Sequence, residues 1–477
     1  MRTDPGFRHK VEGIPCGETL KFCYQCGTCT AACPISKFIG IYRPNKILEL
    51  AKLGIRGLPQ SSAFLFCSAC TLCTKGCPQG VKVHEVMQAL KDLAADDADV
   101  RTFLTDGFSD ALEQLGEGMP FPVSYSWICL RPEEDHPGYS ALDDALKRPA
   151  LPAMKVPDAK SVAVIGSGPA GLTAAWALAK AGHGVTVYES QADPGGMMQN
   201  GIPEYRLPKS FVDIEIGKIQ AMGVVIEVNT PVDKARFDEM LKEYAAIFIA
   251  SGALNSRKLR LEGEDLPGVM PALDFLKEYN LAGKADAVQG KKVAVIGGGN
   301  VATDAAGAAL RCGAESVKLF CLEDRASMPA HEWEIAEIAE AGVEINPAWG
   351  PKALLNDGAN ITGVELAQCA SVFDKDGKFA PVFNEKKTRT VEADTIITAI
   401  GQAPDLSFLN GAVGISRGTI EVDPYTMETG LPGVFAGGDA VAGTSLIEAI
   451  STGKTAAASI LRYTASMAFG ADERGGA

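Results

Sequence analysis

Ser161-Val-Ala-Val-Ile165-Gly166-Ser-Gly168-Pro-Ala-Gly171-Leu-Thr-Ala-Ala-Trp-Ala-Leu-Ala-Lys180 joins an apolar run to a glycine turn and then to a helix-forming run. The apolar run reads as a buried strand, because its β-branched residues stand together without polar alternation. Leu172 to Lys180 is rich in alanine and leucine and reads as a helix. Each glycine between them has its own task. Gly166 permits the tight turn, Gly168 lets the backbone approach a pyrophosphate, and Gly171 lets helix pack on strand. Pro169 and Ala170 complete the turn, and the phosphates are expected at the N-terminus of the helix that follows. A turn at Gly182 leads to a second strand, Val185-Thr-Val-Tyr188, closed by Glu189, which is placed to hold a pair of ribose hydroxyls. Strand, turn, helix and acid in that order predict a dinucleotide-binding unit.

The unit returns downstream. Lys292-Val-Ala-Val-Ile296 is a strand, Gly297-Gly-Gly299-Asn300-Val301-Ala302 is the variant turn with alanine third, a helix runs to about Cys312, and Ser316-Val-Lys-Leu-Phe320 is the next strand. Two dinucleotide folds imply two dinucleotides, one a bound flavin and the other a nicotinamide. Pro432-Gly-Val-Phe-Ala-Gly437-Gly438-Asp439-Ala440 ends a strand in close backbone and a carboxylate, suited to a flavin's ribityl and phosphate region. The run from Ser445 then predicts a helix whose N-terminus faces the flavin ring. Thr395-Ile-Ile-Thr-Ala-Ile-Gly401-Gln402 reads as a buried strand returning the chain from the nicotinamide domain to the flavin domain. The expectation is a flavin domain from 159–288 plus 392–465, a nicotinamide domain inserted at 289–391, and a tail at 466–477.

Ahead of these folds stand Cys23-Tyr-Gln-Cys26-Gly-Thr-Cys29-Thr-Ala-Ala-Cys33-Pro34 and its echo, Cys67-Ser-Ala-Cys70-Thr-Leu-Cys73-Thr-Lys-Gly-Cys77-Pro78. Three cysteines three apart, a fourth after a longer gap, then proline, is the bacterial 4Fe–4S spacing, in which the fourth thiolate serves the other cluster. Cys23, Cys26, Cys29 and Cys77 therefore form one ligand set, and Cys67, Cys70, Cys73 and Cys33 the other. Between the runs, residues 43–54 predict a helix stopped by Gly54. Residues 81–90 show a further helical period, with His84 a packing residue and not a ligand. Residues 1–95 are expected to form a helical two-cluster domain behind a polar lead-in over 1–20. Residues 96–158, broken by prolines, read as a linker that packs on the domains through Tyr125-Ser-Trp-Ile-Cys-Leu, with Cys129 a small buried hydrophobe.

Composition narrows the class. Of 13 cysteines, eight belong to the two runs, and Cys16, Cys129, Cys312, Cys321 and Cys369 are scattered singly, a reducing, cytoplasmic pattern. A net charge of −14 argues against nucleic acid and anionic membranes as partners. No apolar run is long enough to span a membrane. The fold class is α/β with an N-terminal all-α part: a helical double-cluster domain followed by two Rossmann-like domains, the second inserted in the first.

Gly166-Ser-Gly-Pro-Ala-Gly171, Gly195-Gly196, Gly201-Ile-Pro-Glu-Tyr-Arg-Leu-Pro208, Gly297-Gly-Gly-Asn-Val-Ala302, Met328-Pro-Ala330, Ala399-Ile-Gly-Gln402 and Gly437-Gly-Asp439 together resemble the small (beta) subunit of glutamate synthase. Residues 16–95 resemble the two-cluster electron-relay subunit of heterodisulfide reductase. The resemblance implies FAD in the first fold and NAD(P)H in the second. NADPH-using relatives carry an arginine pair just after the second strand of the nicotinamide fold, where this chain has Leu322 and Glu323. Glu323 and Asp324 would repel a 2′-phosphate, which favours NADH, with Arg325 the one rescuing cation. No side chain is assigned as a catalytic acid or base, because hydride passes between cofactors. The expected function is an NAD(P)H-linked flavin/iron–sulfur oxidoreductase serving other redox subunits of a complex, such as a transhydrogenase, hydrogenase or formate dehydrogenase, or ferredoxin, with electron bifurcation in view. The alternatives are a stand-alone NAD(P)H:ferredoxin oxidoreductase, a glutamate synthase beta subunit, and a scaffold with vestigial sites.

Overall fold

The structure, a computed structural model, describes residues 2–15, 17–37, 39–56, 59–96, 107–130, 138–152, 161–283, 285–442 and 445–472. Cys16, Asp97, Asp99, Pro132, Pro137 and Pro157 lie outside the described residues. The chain forms two compact units: Met1–Gly196, Arg206–Gly252 and Leu406–Ala477 make the first, and Met197–Tyr205 with Ala253–Asp405 the second.

In the first unit, the cysteine runs sit on short helices, Thr28–Ala32 and Leu72–Lys75, bracketed by the longer helices Pro44–Leu53 and Val83–Asp96. Gly54 ends Pro44–Leu53 in the left-handed region (φ 60°), the stop expected of it. The polar lead-in does not hold. Arg2–Thr3 pairs with Ile55–Arg56, and the helix Phe7–Glu12 buries Phe7 and Val11 completely, because Phe7 and Val11, one turn apart, face the same core. The linker is also more ordered than its prolines suggest. It contains the helices Phe108–Gly118, Pro122–Leu130 and Gly138–Lys147, whose Phe108, Leu112, Leu115, Tyr125 and Leu142 complete the core around the cysteines. Tyr125 packs as expected and donates its hydroxyl to the Phe66 carbonyl at 2.9 Å.

The same unit holds a parallel sheet in the order Val434–Ala436, Ala246–Ile249, Val162–Ile165, Val185–Tyr188, Val225–Glu227. The helix Pro169–Lys180 covers it beside the long C-terminal helix Leu446–Asp472. That helix extends through residues expected to form a tail. Its Ile447 and Ile450 belong to the cysteine core.

The second unit repeats the sheet: Glu344–Asn346, Ser316–Phe320, Lys292–Ile296, Thr395–Thr398 and Val269–Pro271, all parallel. It adds three antiparallel strands, Trp349–Asn356, Ile361–Phe373 and Phe379–Glu392. The predicted boundaries at 288 and 392 therefore move. Val269–Pro271 and Thr395–Thr398 are strands of the second sheet, so the chain leaves the first unit at Gly252 and returns at Leu406. A single strand's apolar run carries no sign of which of two similar sheets it joins.

Glu215 ties the linker helices to the flavin-type fold. Lying in the helix Lys209–Ala221 and 1% exposed, it accepts the backbone N–H groups of Val123 (2.8 Å) and Ser124 (3.1 Å) and the Ser124 hydroxyl. These are the orphan amides at the start of Pro122–Leu130. Burial pushes the carboxyl from 4.5 up to about 7, against those hydrogen bonds, which lower it. The folded state thus holds this proton more tightly than the unfolded chain. The contribution is whole below about pH 4.5 and is lost as pH rises through about 7. It amounts to about 3 kcal/mol at most. Urea unfolding between pH 5 and 7.5 should show a decline in stability with rising pH that Glu215→Gln lacks; parallel profiles for the two proteins would remove this role.

Candidate cofactor sites

The eight cysteines fall into two rings. Cys23, Cys26, Cys29 and Cys77 line one small pocket, and Cys33, Cys67, Cys70 and Cys73 line another. Each ring takes three thiols from its own run and the fourth from the other, as the spacing predicts. Among the described residues no three His, Cys, Asp or Glu side chains converge on a single ion, whereas four thiols around a cavity suit a polynuclear cluster. The two loops share one backbone form. Gln25 and Gly27 have positive φ (67° and 82°), as do the equivalent Ala69 and Thr71 (54° and 63°). Three of these four carry a Cβ that disfavours that region. Burial first, then neighbouring thiols, pushes Cys29 up to about 11 and Cys73 to about 12, and burial pushes Cys33 to about 11. Such thiols ionise when a metal cation binds them. Cys26 differs: it is exposed, and the Thr28 hydroxyl lowers its pKa. His84 bonds the Thr74 hydroxyl through Nδ1 at 2.8 Å, as a packing residue would. Cys129 lines neither ring, and its thiol donates to the Phe66 carbonyl at 3.7 Å.

The first glycine turn is crowded where it must be and open where a ligand would lie. A Cβ on Gly166 (φ 100°) would stand 2.3 Å from the Ala250 carbonyl oxygen, and one on Gly171 2.0 Å from the Gly166 oxygen. A Cβ on Gly168 would meet nothing within 4 Å. Gly168 caps Pro169–Lys180 without any side-chain hydrogen bond, leaving the helix's first amides open to an anion. Gly196 runs against Gly168 (a Cβ would meet its Cα at 2.7 Å), and Gly438 lies over Ala170 (3.1 Å). Asp439 follows, its carboxyl pushed up to about 6 by burial and then by Glu448. Ser251, next to Gly166, has a buried hydroxyl oxygen with no hydrogen-bond partner. Open cradle, uncapped helix and orphan hydroxyl together fit a phosphate-bearing dinucleotide.

Glu189 is more engaged than the sequence implies. It accepts the Ser167 N–H at 2.9 Å and hydroxyl at 2.5 Å on Oε2, and the Gln191 N–H at 2.8 Å on Oε1. Ser167 Oγ in turn accepts the Gly195 N–H at 3.1 Å. The carboxylate therefore organises the turn and keeps little capacity for a ribose.

The second turn obeys the same constraint. A Cβ on Gly297 (φ 147°) would stand 2.3 Å from the Ala399 carbonyl oxygen. Gly299 is open and caps the helix Asn300–Arg311 without a side chain, and Val301 and Ala302 lie in its first turn. Glu323 leans on this turn: a Cβ on Gly298 would meet its Oε2 at 3.1 Å. Ala330 donates its N–H to the Gly298 carbonyl at 3.0 Å, which accounts for Met328-Pro-Ala330. Asn300 Oδ1 accepts the His331 N–H at 3.3 Å. Arg325 is forked onto Glu332 at 2.8 and 2.5 Å. Gly401 sits in this unit, its carbonyl bonded to the Arg257 N–H at 3.0 Å, and not in the flavin-type fold. Ala250-Ser251-Gly252 and Ala399-Ile400-Gly401 occupy equivalent strand exits. The likeness of the first triplet to the second is the signal in the sequence that marks Ser251.

Two cysteine rings and two glycine-turn folds define an iron–sulfur flavoprotein of the nicotinamide-dependent class. The pyridine nucleotide-disulphide oxidoreductase family matches residues 160–459, and a 4Fe-4S dicluster domain matches residues 22–82. The chain belongs to the pyridine nucleotide-disulphide oxidoreductase family and is an oxidoreductase. It is 43% identical to the NADP(+)-dependent formate dehydrogenase subunit beta of Moorella thermoacetica, over 65% of this chain and 44% of that one. It is 34% identical to the NADPH-Fe(3+) oxidoreductase subunit beta of Geobacter sulfurreducens, over 75% and 60%, and 35% identical to the glutamate synthase (NADPH) small chain of Azospirillum brasilense, over 68% and 70%. The chain thus spans about half the length of the first two. FprA from Mycobacterium tuberculosis in complex with NADPH shares the fold, with a TM-score of 0.56 at 18% identity over 66% of this chain and 86% of that one. Among the described residues no helix is long and apolar enough to cross a membrane.

The two glycines should fail differently. Gly166→Ala forces a Cβ into a carbonyl and should destabilise the unit by ~1–3 kcal/mol. Gly168→Ala meets no protein atom, so apoprotein melting should be unchanged while the flavin-to-protein absorbance ratio falls. Full flavin content in Gly168→Ala would place the phosphates elsewhere.

Proposed function

We propose that this chain exchanges hydride between NAD(P)H and FAD, and single electrons between FAD, two 4Fe–4S clusters and a partner redox subunit. The observation that carries this reading is the crossed pair of cysteine rings sharing one core with the C-terminal helix of the flavin-type fold. Gly166, Gly168, Pro169, Ala170, Gly171, Gly196, Gly438 and Asp439 would cradle FAD, with Ser251 added and Glu189 bracing the turn. Gly297, Gly299, Asn300, Val301 and Ala302 would take the nicotinamide dinucleotide. The flavin supplies the step between a two-electron and a one-electron carrier, and the protein supplies position and redox tuning. The relatives named above are subunits, which supports a cytoplasmic assembly of several subunits as the setting. We place formate dehydrogenase-type and NADPH–iron oxidoreductase-type assemblies ahead of glutamate synthase, because of the regular double cysteine run.

The nucleotide favoured is NADH. Glu323 stands against the second turn where a 2′-phosphate would be repelled and a ribose 2′-hydroxyl held, and Arg325 is already committed to Glu332. The names of the relatives favour NADPH, so the point is open to direct test. In anaerobic titrations NADH should bleach the flavin at a roughly tenfold lower concentration than NADPH, the scale of a charged hydrogen bond. Glu323→Gln should narrow that gap from both sides, weakening NADH and relieving the repulsion of NADPH. Tighter response to NADPH in the native protein would reverse the assignment and return Arg325 to the 2′-phosphate.

A further inference from the structure

The two rings differ in what surrounds them. The second faces inward: Cys33 and Cys73 are buried in a core with Ile447 and Ile450, and the turn Ile35–Lys37 just after Cys33 packs on the C-terminal helix Leu446–Asp472. The first faces outward. Cys26 is exposed, and Phe22 and Tyr24 beside it are 54% and 57% exposed, unusual for aromatic side chains with a core at hand. Tyr24 and Gln79 line the first ring's pocket together, the Lys82 N–H donates to the Thr19 hydroxyl at 3.2 Å, and Gly76 faces the Thr28 methyl. Segments 18–28 and 75–82 therefore make one surface around the ring. It presents Lys21, Lys75 and Lys82, with Glu18 the single acid in the two segments, on a chain whose net charge is −14. Lys82 also pairs with Glu85 at 3.1 Å.

We propose that this face docks an acidic electron-carrier protein of the iron–sulfur ferredoxin class, with the first ring as the electron port and the second as the flavin-side step. The proposal rests on the iron–sulfur reading above. An aromatic pair at an exposed ring gives a desolvated centre, and the lysines give a rim that attracts an acidic carrier and repels a basic one. Electrons balance with the hydride chemistry: two reduced carriers give one electron each and, with NAD⁺ and a proton, yield two oxidised carriers and NADH.

The test mixes the oxidised holoprotein with a prereduced acidic 4Fe–4S ferredoxin and follows cluster reduction by stopped-flow absorbance and freeze-quench EPR. Rapid reduction that slows as salt rises is expected. Lys21→Glu/Lys75→Glu should slow it at least tenfold at low salt, and Phe22→Ser/Tyr24→Ser should do so at any salt. In both variants NADH should still reduce the clusters at the native rate, with both EPR signals intact. A native protein that takes electrons from NADH but not from the ferredoxin overturns the proposal. So do variants that react normally, or a native dimer, seen by light scattering, that these substitutions dissociate. Absence of two cluster signals in native protein would instead overturn the iron–sulfur reading itself.

Discussion

The C-terminal helix crosses the first glycine-turn helix at Gly453, where a Cβ would stand 2.3 Å from the Ala170 carbonyl oxygen. Helix axes come this near only where a residue lacks a side chain. The crossing fixes the rest of the first unit. One side of it holds Thr452, whose hydroxyl accepts the Gly438 N–H at 2.9 Å and so sets the turn that presents Asp439. One turn N-terminal, Ile447 and Ile450 enter the core that holds the cysteine rings. A flavin-type fold and a cluster module thus share a single helix. They form a single packed body instead of two domains on a linker, and distances for electron transfer within it are set by packing.

The same economy appears in the duplicated turns. Gly166 against Ala250 and Gly297 against Ala399 are one constraint used twice: a strand exit passes over the turn and excludes any Cβ. What differs is the acid that follows. Glu189 is buried and bonded into its own turn, whereas Glu323 leans on Gly298 from outside. A buried carboxylate already holding backbone amides serves structure, and a fixed cofactor needs such rigidity.

Sequence patterns of short range were the legible ones. Strand, turn and helix around Gly168 and Gly299 follow from neighbouring residues, and so does the ring assignment, because the cluster spacing encodes the crossing of the fourth cysteine. Long-range choices were not legible. Thr395–Thr398 is equally apolar for either parallel sheet, so its joining the second moved the domain boundary. Phe7 and Val11 sit in a charged stretch, and only their shared core shows that the lead-in is structural. The prolines of residues 96–158 suggested a linker. Pro122 in fact opens a helix, where a missing N–H costs nothing, and Glu215, far away in sequence, satisfies the next amides. Gly401 follows the strand Thr395–Thr398 into the second unit.

The cysteine loops themselves argue that metal and fold are coupled. Gln25, Ala69 and Thr71 hold left-handed backbone that costs on the order of 1–2 kcal/mol each. Cys29, Cys33 and Cys73 hold thiols whose burial opposes ionisation. Neither feature stabilises an empty loop. Both would be offset by a metal cluster, which would take the thiols as thiolates. The strain is mirrored at equivalent positions of the two runs, Gln25 with Ala69 and Gly27 with Thr71, so each loop is shaped for one and the same guest. Because Cys77 follows Cys73 in the chain and Cys33 follows Cys29, a cluster held in either ring would also tether the loop that carries the other.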